Sequence, residues 1–435
     1  MAEDRILSRF SFFRKILNSN RFFVTFLAVF ILIQTVVLYQ RDGKDLKVGL
    51  YGAAQVFQGK SPYENPLDPN RPIFRYAPGI AILQYPFLLK SKVVGPYEFE
   101  NIHPSVFAWY LAELLALVGS AFLLFKLIPA CSRETSLWNL KLSILMALPF
   151  ITYELSNSQN KLIALFFMVA AIFLFEKKKL FWAAFSFNIA LTIYIALSPF
   201  LLYFVIRNKK FIISFLIATF LVFLLIPSLI LGVQFNAYLL KEWFTRTLQP
   251  FFLTNSYATY IDLRRSSQAM PSAIGRIFVL KDAAHFHYLI SPLIIHILIR
   301  IISASIVLCS CLAIWRKPKD TMRGLVYTAF LILALILPQY CIYYTWAYLF
   351  VFYFASFNYV SHPDVPASRK KFFRTLVSIL FISSCLMAIT PLKYFSFLFW
   401  GTFILWVGIV IVLIKESGIR FTAKSLFAFR KNVDA

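Results

Sequence analysis

The chain has 435 residues, of which 60% are hydrophobic and 18% aromatic, and its formal net charge is +25. Soluble domains stop at roughly half apolar, and apolar runs of about 20 residues recur along the whole length, so a soluble enzyme is excluded. The positive charge collects in short connections between apolar runs, which points to the orientation of membrane spans and away from nucleic acid.

The basic residues before position 22, with no small-residue cleavage site after the first apolar run, predict a retained anchor at 22–39 and a cytoplasmic N-terminus. Further spans are expected at 104–126, 142–155, 161–176, 211–231, 290–314, 324–338, 345–361, 374–390 and 395–414. Two apolar stretches, 77–89 and 180–206, fit less simply. If 77–89 crossed the membrane, the basic cluster Lys177–Lys179 would fall outside. An element that dips in and returns keeps every basic cluster inside. The stretch 180–206 has basic residues at both ends, so it reads as a hairpin of two short helices bent near Ser198–Pro199.

The expected fold is therefore an all-α polytopic membrane protein, one domain over residues 1–435. It has about ten full transmembrane helices and two partial or re-entrant elements, and both termini are cytoplasmic. The expected location is the cell (inner) membrane. Two long outer loops, 40–103 and 232–289, would carry short interfacial helices and form the active-site face.

The first of these loops is unlike the rest of the chain. Residues 41–86 hold four acids, Asp42, Asp45, Glu64 and Asp68, among turn formers. Asp42 and Asp45 read either as solvated loop or helix-capping residues, or as carboxylates doing chemistry at the membrane boundary. After Asp45, LKVGLYGAAQVFQG has helical spacing and stops at Gly59. It predicts an interfacial helix that fixes the depth of Asp45. Pro78 and Pro86 bracket a run too short to span, which reads as a cavity wall or as an amphipathic anchor. Arg75 would face the same vestibule.

Further candidates follow along the chain. The turn YELSNSQNK places Asn157, Gln159 and Asn160 as sugar-binding amides or as a merely polar turn. The loop 232–289 is basic although expected outside, with Lys241, Arg246, Arg264, Arg265, Arg276 and Lys281 against Glu242, Asp262 and Asp282. A lipid phosphate or diphosphate would explain that, as would anionic headgroups. Within spans, Glu113 stands alone, while His296 and Arg300 lie one helical turn apart. That pair would hold a phosphate, or pack as a buried structural pair against Glu113. The five cysteines are scattered, Cys309 and Cys311 face different ways on a helix, and His285 and His287 read as interfacial, so neither a disulfide nor a metal site is expected. There is no phosphate-binding glycine loop, Rossmann fingerprint or metalloprotease motif in the sequence.

Asp45, Ala53–Ala54, Gly59, Pro62–Tyr63, Phe74-x-Tyr76-x-Pro78 and Pro86 together resemble the first outer loop of the GT-C membrane glycosyltransferases. The similarity is to the bacterial polyprenyl-phosphate-mannose-dependent α-mannosyltransferases. Ser158–Gln159 resembles that family's Gly-Gln-x-Asn, with Ser at 158 and Lys161 in the last place. Ala196-x-x-Pro199 resembles its Lys-x-x-Pro with the lysine replaced. Asn255–Ser256 loosely resembles its Asn-x-Ser region. Pro338 to Tyr344 resembles its Pro-x-x-Trp-x-His-Tyr, with Cys341 and Tyr343 in place of Trp and His.

The resemblance implies inverting transfer of mannose, or a related hexose or pentose, from a polyprenyl-phosphate donor to an acceptor hydroxyl on the extracytoplasmic face. The acceptor would be a glycan, glycolipid or glycoprotein. Asp45 would be the general base, and Lys161, Arg264, Arg265 and Arg300 the candidates at the lipid phosphate. Asp42, Tyr63, Arg75, Tyr76, Asn157, Gln159, Asn160, Asn255, His296, Tyr343 and Tyr344 complete the expected substrate contacts. No metal and no cofactor beyond the lipid-linked donor is expected, and the remaining partners are membrane lipids. A lipid-linked glycan polymerase or ligase is the nearer alternative. A flippase or transporter is the further one, since that class shows repeated halves and none is seen here.

Overall fold

A computed structural model describes residues 19–41, 43–63, 74–89, 91–249, 267–281, 286–338, 341, 343–387 and 389–416. Helix α1 (Asn20–Arg41) is followed by α2 (Lys44–Phe57) and α3 (Pro78–Gln84), which continues as a 3-10 turn to Leu88. Then come α4 (His103–Leu127), α5 (Arg133–Ser156), α6 (Lys161–Glu176), α7 (Leu180–Ile193), α8 (Phe200–Arg207), α9 (Phe211–Leu231) and α10 (Val233–Trp243). The remainder is α11 (Met270–Phe278), α12 (Pro292–Ile314), α13 (Arg323–Ile336), α14 (Leu349–Ser361), α15 (Ala367–Leu386) and α16 (Phe397–Glu416).

The all-α expectation needs one correction. Each long loop contains a small antiparallel ribbon. In the first, β1 (Lys92–Gly95) pairs with β2 (Glu98–Glu100), Lys92 opposite Glu100. In the second, β3 (Val279–Lys281) pairs with β4 (Phe286–Tyr288), Val279 opposite Tyr288. Short alternating segments around a turn favour this over helix.

Among the described residues, five stretches are long and apolar enough to cross a membrane: α4, α5, α9, α12 and Leu392–Glu416, which ends in α16. This is a helical membrane protein. Helices also occupy the other expected spans, and three of them, α6, α13 and α14, are shorter, with 16, 14 and 13 residues. Helix α13 has 14 residues, about 21 Å at 1.5 Å per residue, against a hydrocarbon core of about 30 Å. Every residue of α13 from Gly324 to Ile336 is buried, as a helix apolar all round should be. It packs with α14, which is almost as fully enclosed. Helices α9 and α12 instead turn Ile213, Leu216 and Leu229, and Ile294, Ile301 and Leu308, outwards.

The segment 180–206 forms two helices with a break at 194–199, as expected, but it is no shallow dip. Helix α7 leaves beside Glu176. Its end brings Tyr194 to Lys161, at the opposite end of α6, with the Lys161 ammonium 4.3 Å from the Tyr194 ring centre. Helix α8 then returns, and the Tyr203 hydroxyl donates to Glu176 Oε1 at 3.0 Å. The hairpin thus follows α6 over its full length. In α9, residues Phe220–Leu225 widen into a π-helical turn. The Asn236 amide donates to the loosened Phe223 carbonyl at 3.1 Å and to the Ser228 hydroxyl, which offsets the poorer ladder there.

Helix α2 forms where a helix is expected, and its apolar side is covered by protein. Leu46, Leu50, Ala53 and Val56 are all almost fully enclosed, and Gly52 lets the backbone approach the Phe74 ring so closely that a Cβ would sit 2.4 Å from it. The small residues Gly52, Ala53 and Ala54 draw the helix into the protein.

Candidate functional site

The site is assembled at the end of the bundle where α5 turns into α6. The turn is tight because Ser158 takes a left-handed conformation, φ 49°. Asn157 donates its amide back to the Tyr153 carbonyl at 2.6 Å, and Trp109 of α4 donates its indole N–H to the Gln159 carbonyl at 3.1 Å. A helix start leaves backbone N–H groups without intrahelical acceptors. Here Glu154 answers one of them, with Oε1 accepting the Lys161 N–H at 2.7 Å. The Tyr348 hydroxyl donates to the Lys161 carbonyl at 3.0 Å.

Lys161 is itself 8% exposed. Its ammonium lies over two aromatic faces, 4.3 Å from the Tyr194 ring centre and 5.7 Å from that of Tyr76. An ammonium so placed is attracted by the negative faces of the rings. Both rings are fixed from behind. Tyr194 donates to the Ala334 carbonyl at 3.0 Å and meets Tyr348 edge-on at 6.4 Å. The Tyr76 carbonyl accepts from the Tyr63 hydroxyl at 2.7 Å. Burial pushes the Tyr63 phenol well above its ordinary value, so it stays a neutral donor.

Asp45 completes the cluster from the first turn of α2. It is half-buried and within electrostatic reach of both Glu154 and Lys161. Gly43 makes this approach possible. Its φ is +55°, and a Cβ there would stand 2.9 Å from Val106 Cγ2 and 3.2 Å from Ser158 Oγ. Cys341 closes the far side, also within reach of Lys161. Its carbonyl accepts the Gln268 N–H at 2.8 Å, and burial pushes its thiol up to about 12.

Of the residues expected from sequence, the fold brings together Asp45, Tyr63, Tyr76, Gln159, Asn160 and Lys161. Gln159 and Asn160 are only 3% exposed and sit in the wall of the cluster. Arg75 turns its side chain outwards, while its carbonyl accepts the Trp243 indole N–H at 3.3 Å. His296 and Arg300 meet each other on α12, Nε to Nε2 at 3.5 Å. They do not form the buried pair against Glu113. Glu113 faces Glu154 instead, and neither of its carboxylate oxygens has a hydrogen-bond partner among the described residues. In the second loop, Arg246 binds the Tyr63 carbonyl at 3.0 Å and Glu242 at 2.6 Å, and Arg276 is tied to Ser267 and Ser396. Asp42, Asn255, Arg264, Arg265 and the side chains of Tyr343 and Tyr344 lie outside the described residues.

Sequence reasoning passed over Glu154, Tyr194 and Tyr348. The signal for Glu154 was present: an acid in an apolar helix, seven residues before a lysine. For the tyrosines there was none, because only the fold carries them to Lys161. Position 196 is an alanine, and the Lys161 ammonium lies over the ring of Tyr194, two residues earlier.

A helical membrane bundle that gathers a carboxylate, an enclosed lysine and tyrosine faces at one end holds an acid and a cation side by side, the groups that transfer chemistry on an anionic substrate uses. The sequence profile of glycosyltransferase family 87 matches residues 74–338, more than half of the chain, and the chain belongs to that family. The matched range begins after Asp45, so the assignment is independent of that residue. No curated protein and no solved structure matches the chain.

Proposed function

We propose that this glycosyltransferase moves a single sugar, mannose or a related hexose or pentose, from a polyprenyl phosphate to an acceptor hydroxyl with inversion. The acceptor is a glycan, glycolipid or glycoprotein. The observation that carries this reading is the Lys161 ammonium. It lies between two ring faces beside Asp45, and among the described residues it makes no hydrogen bond or close ion pair. An enclosed cation whose N–H groups lack acceptors is fitted to an anionic ligand.

Asp45 takes the proton of the acceptor hydroxyl as its oxygen attacks the anomeric carbon. The bond from that carbon to the phosphate oxygen breaks, and the electron pair leaves with the lipid phosphate. Lys161 balances the charge that develops there. Arg264, Arg265 and Arg300 remain candidates for the rest of the phosphate and the lipid path.

We place this site on the extracytoplasmic side of the cell membrane and both termini in the cytoplasm. The support is the distribution of charge. The opposite end of α6 carries Lys177–Lys179, and Arg323 approaches Glu176 there at 3.8 Å. The adjoining loop holds Lys319, 2.8 Å from Glu416, which also binds Arg369. Basic residues so gathered mark a cytoplasmic face.

The test is consumption of polyprenyl-phosphate sugars by the purified protein, with diphosphate-linked oligosaccharides as the second arm. A transferase consumes the former. Consumption of the diphosphate-linked donors alone identifies a ligase, and movement of lipid without bond cleavage identifies a flippase. Asp45→Asn is expected to lower transfer by roughly 10²–10⁴-fold, the range of a lost general base, while the protein still folds and inserts. Transfer by that variant near the wild-type rate would remove Asp45 from the mechanism.

A further inference from the structure

Lys161 is held by its backbone from two directions. Glu154, fully enclosed near the end of α5, accepts its N–H at 2.7 Å. Tyr348, before α14, donates to its carbonyl at 3.0 Å. Asn160, in the ordinary capping position, makes no side-chain bond to α6, so the cap comes from the preceding helix. The carboxylate also acts through space on the Lys161 ammonium, and Asp45 is felt by both. With its backbone clamped, the lysine side chain is directed over Tyr194 and Tyr76.

A helix cap alone does not account for Glu154. Ser, Thr or Asn at the cap position would satisfy the same N–H, and a carboxyl group enclosed at the edge of a membrane span is costly. The group is explained if its oxygen, reaching across from α5 to the Lys161 N–H, fixes where the lysine stands. We propose that Glu154 and Tyr348 are positioning residues, which set the place of the Lys161 ammonium in front of the donor phosphate. This rests on the reading that Lys161 meets that phosphate.

The measurement is the affinity of the purified full-length protein in nanodiscs for a long-chain polyprenyl phosphate, the lipid product of the proposed transfer. Thermal unfolding is followed in parallel. Lys161→Met is expected to weaken binding about tenfold or more, as for a lost charge-assisted contact. Glu154→Ala should weaken it to a similar degree, and the double variant should be no worse than Lys161→Met, because coupled residues are non-additive. Glu154→Gln keeps a carbonyl oxygen for the Lys161 N–H and should recover most of the affinity. Tyr348→Phe, which loses only the hydroxyl, should weaken binding with little change in unfolding temperature. It carries the test if Glu154→Ala does not fold.

Impaired binding by Lys161→Met together with normal binding by Glu154→Ala or by Tyr348→Phe overturns the positioning role alone. Additive losses in the double variant overturn it too. Normal binding by Lys161→Met overturns the reading of Lys161, and the positioning role with it.

Discussion

The Lys161 ammonium stands 4.3 Å from the centre of the Tyr194 ring, although Lys161 opens α6 and Tyr194 follows the end of α7. This contact turns a polar turn of the sequence into a cationic site. A cation over a desolvated ring is worth up to about 2 kcal/mol. Tyr194→Leu is therefore expected to weaken polyprenyl phosphate binding several-fold by freeing the ammonium. Tyr194→Phe, which keeps the ring and loses the bond to Ala334, should stay close to wild type. Equal losses in both variants would assign the effect to the hydroxyl and not to the ring.

Gly43 decides whether Asp45 can reach the same cluster. At φ +55° a side chain is strained by about 1–2 kcal/mol, and here its Cβ would also crowd Val106 and Ser158. Gly59 is a natural control. Its φ is +74°, but nothing lies within 4 Å of its Cβ position. Gly43→Ala should lower the unfolding temperature more than Gly59→Ala, and only Gly43→Ala should depress sugar transfer in the fraction that remains folded. Matching losses in the two variants would leave backbone strain as the whole effect.

Much of this was legible in the sequence, and the failures have physical reasons. Spacing and length located the helices, including the short element expected at 77–89 and found at 78–88, and the bend expected near Ser198–Pro199, which falls in the break at 194–199, because proline and apolar periodicity are local signals. Asp45, Tyr76 and Lys161 were all singled out. The enclosure of α2 was not legible because burial depends on what lies opposite, and Phe74 reaches it from a loop. At α13 and α14 the apolar runs form short helices enclosed in the bundle, and an apolar run signals enclosure as readily as lipid. Tyr194 and Tyr348 were invisible, since a tyrosine in an apolar run gives no sign of which end of the bundle it will reach.

Cys341 offers a test of the closed far wall that does not depend on activity. Its thiol is pushed up to about 12 by burial, and only the thiolate reacts with alkylating reagents. At pH 8 the thiolate fraction of such a group is about one in 10⁴. In the folded protein Cys341 should resist iodoacetamide while the exposed Cys131 is modified. Denaturant should make Cys341 reactive. Peptide mass spectrometry reads the two sites separately, and early modification of Cys341 in the folded protein would show that the wall opens.

Among the described residues, Glu113 is an acid near the site for which transfer supplies no role. It is fully enclosed on α4, and neither oxygen has a partner among the described residues. A buried polar group left unsatisfied costs about 1–3 kcal/mol. Glu113 lies within electrostatic reach of another acid, Glu154, so removing Glu113 also removes an unfavourable neighbour from the residue that caps α6. Glu113→Met, similar in length and apolar, should raise the unfolding temperature and leave polyprenyl phosphate binding unchanged. A lower unfolding temperature would mean that Glu113 has a stabilising partner. Weaker lipid binding at unchanged stability would bring it into the set of residues that hold Lys161.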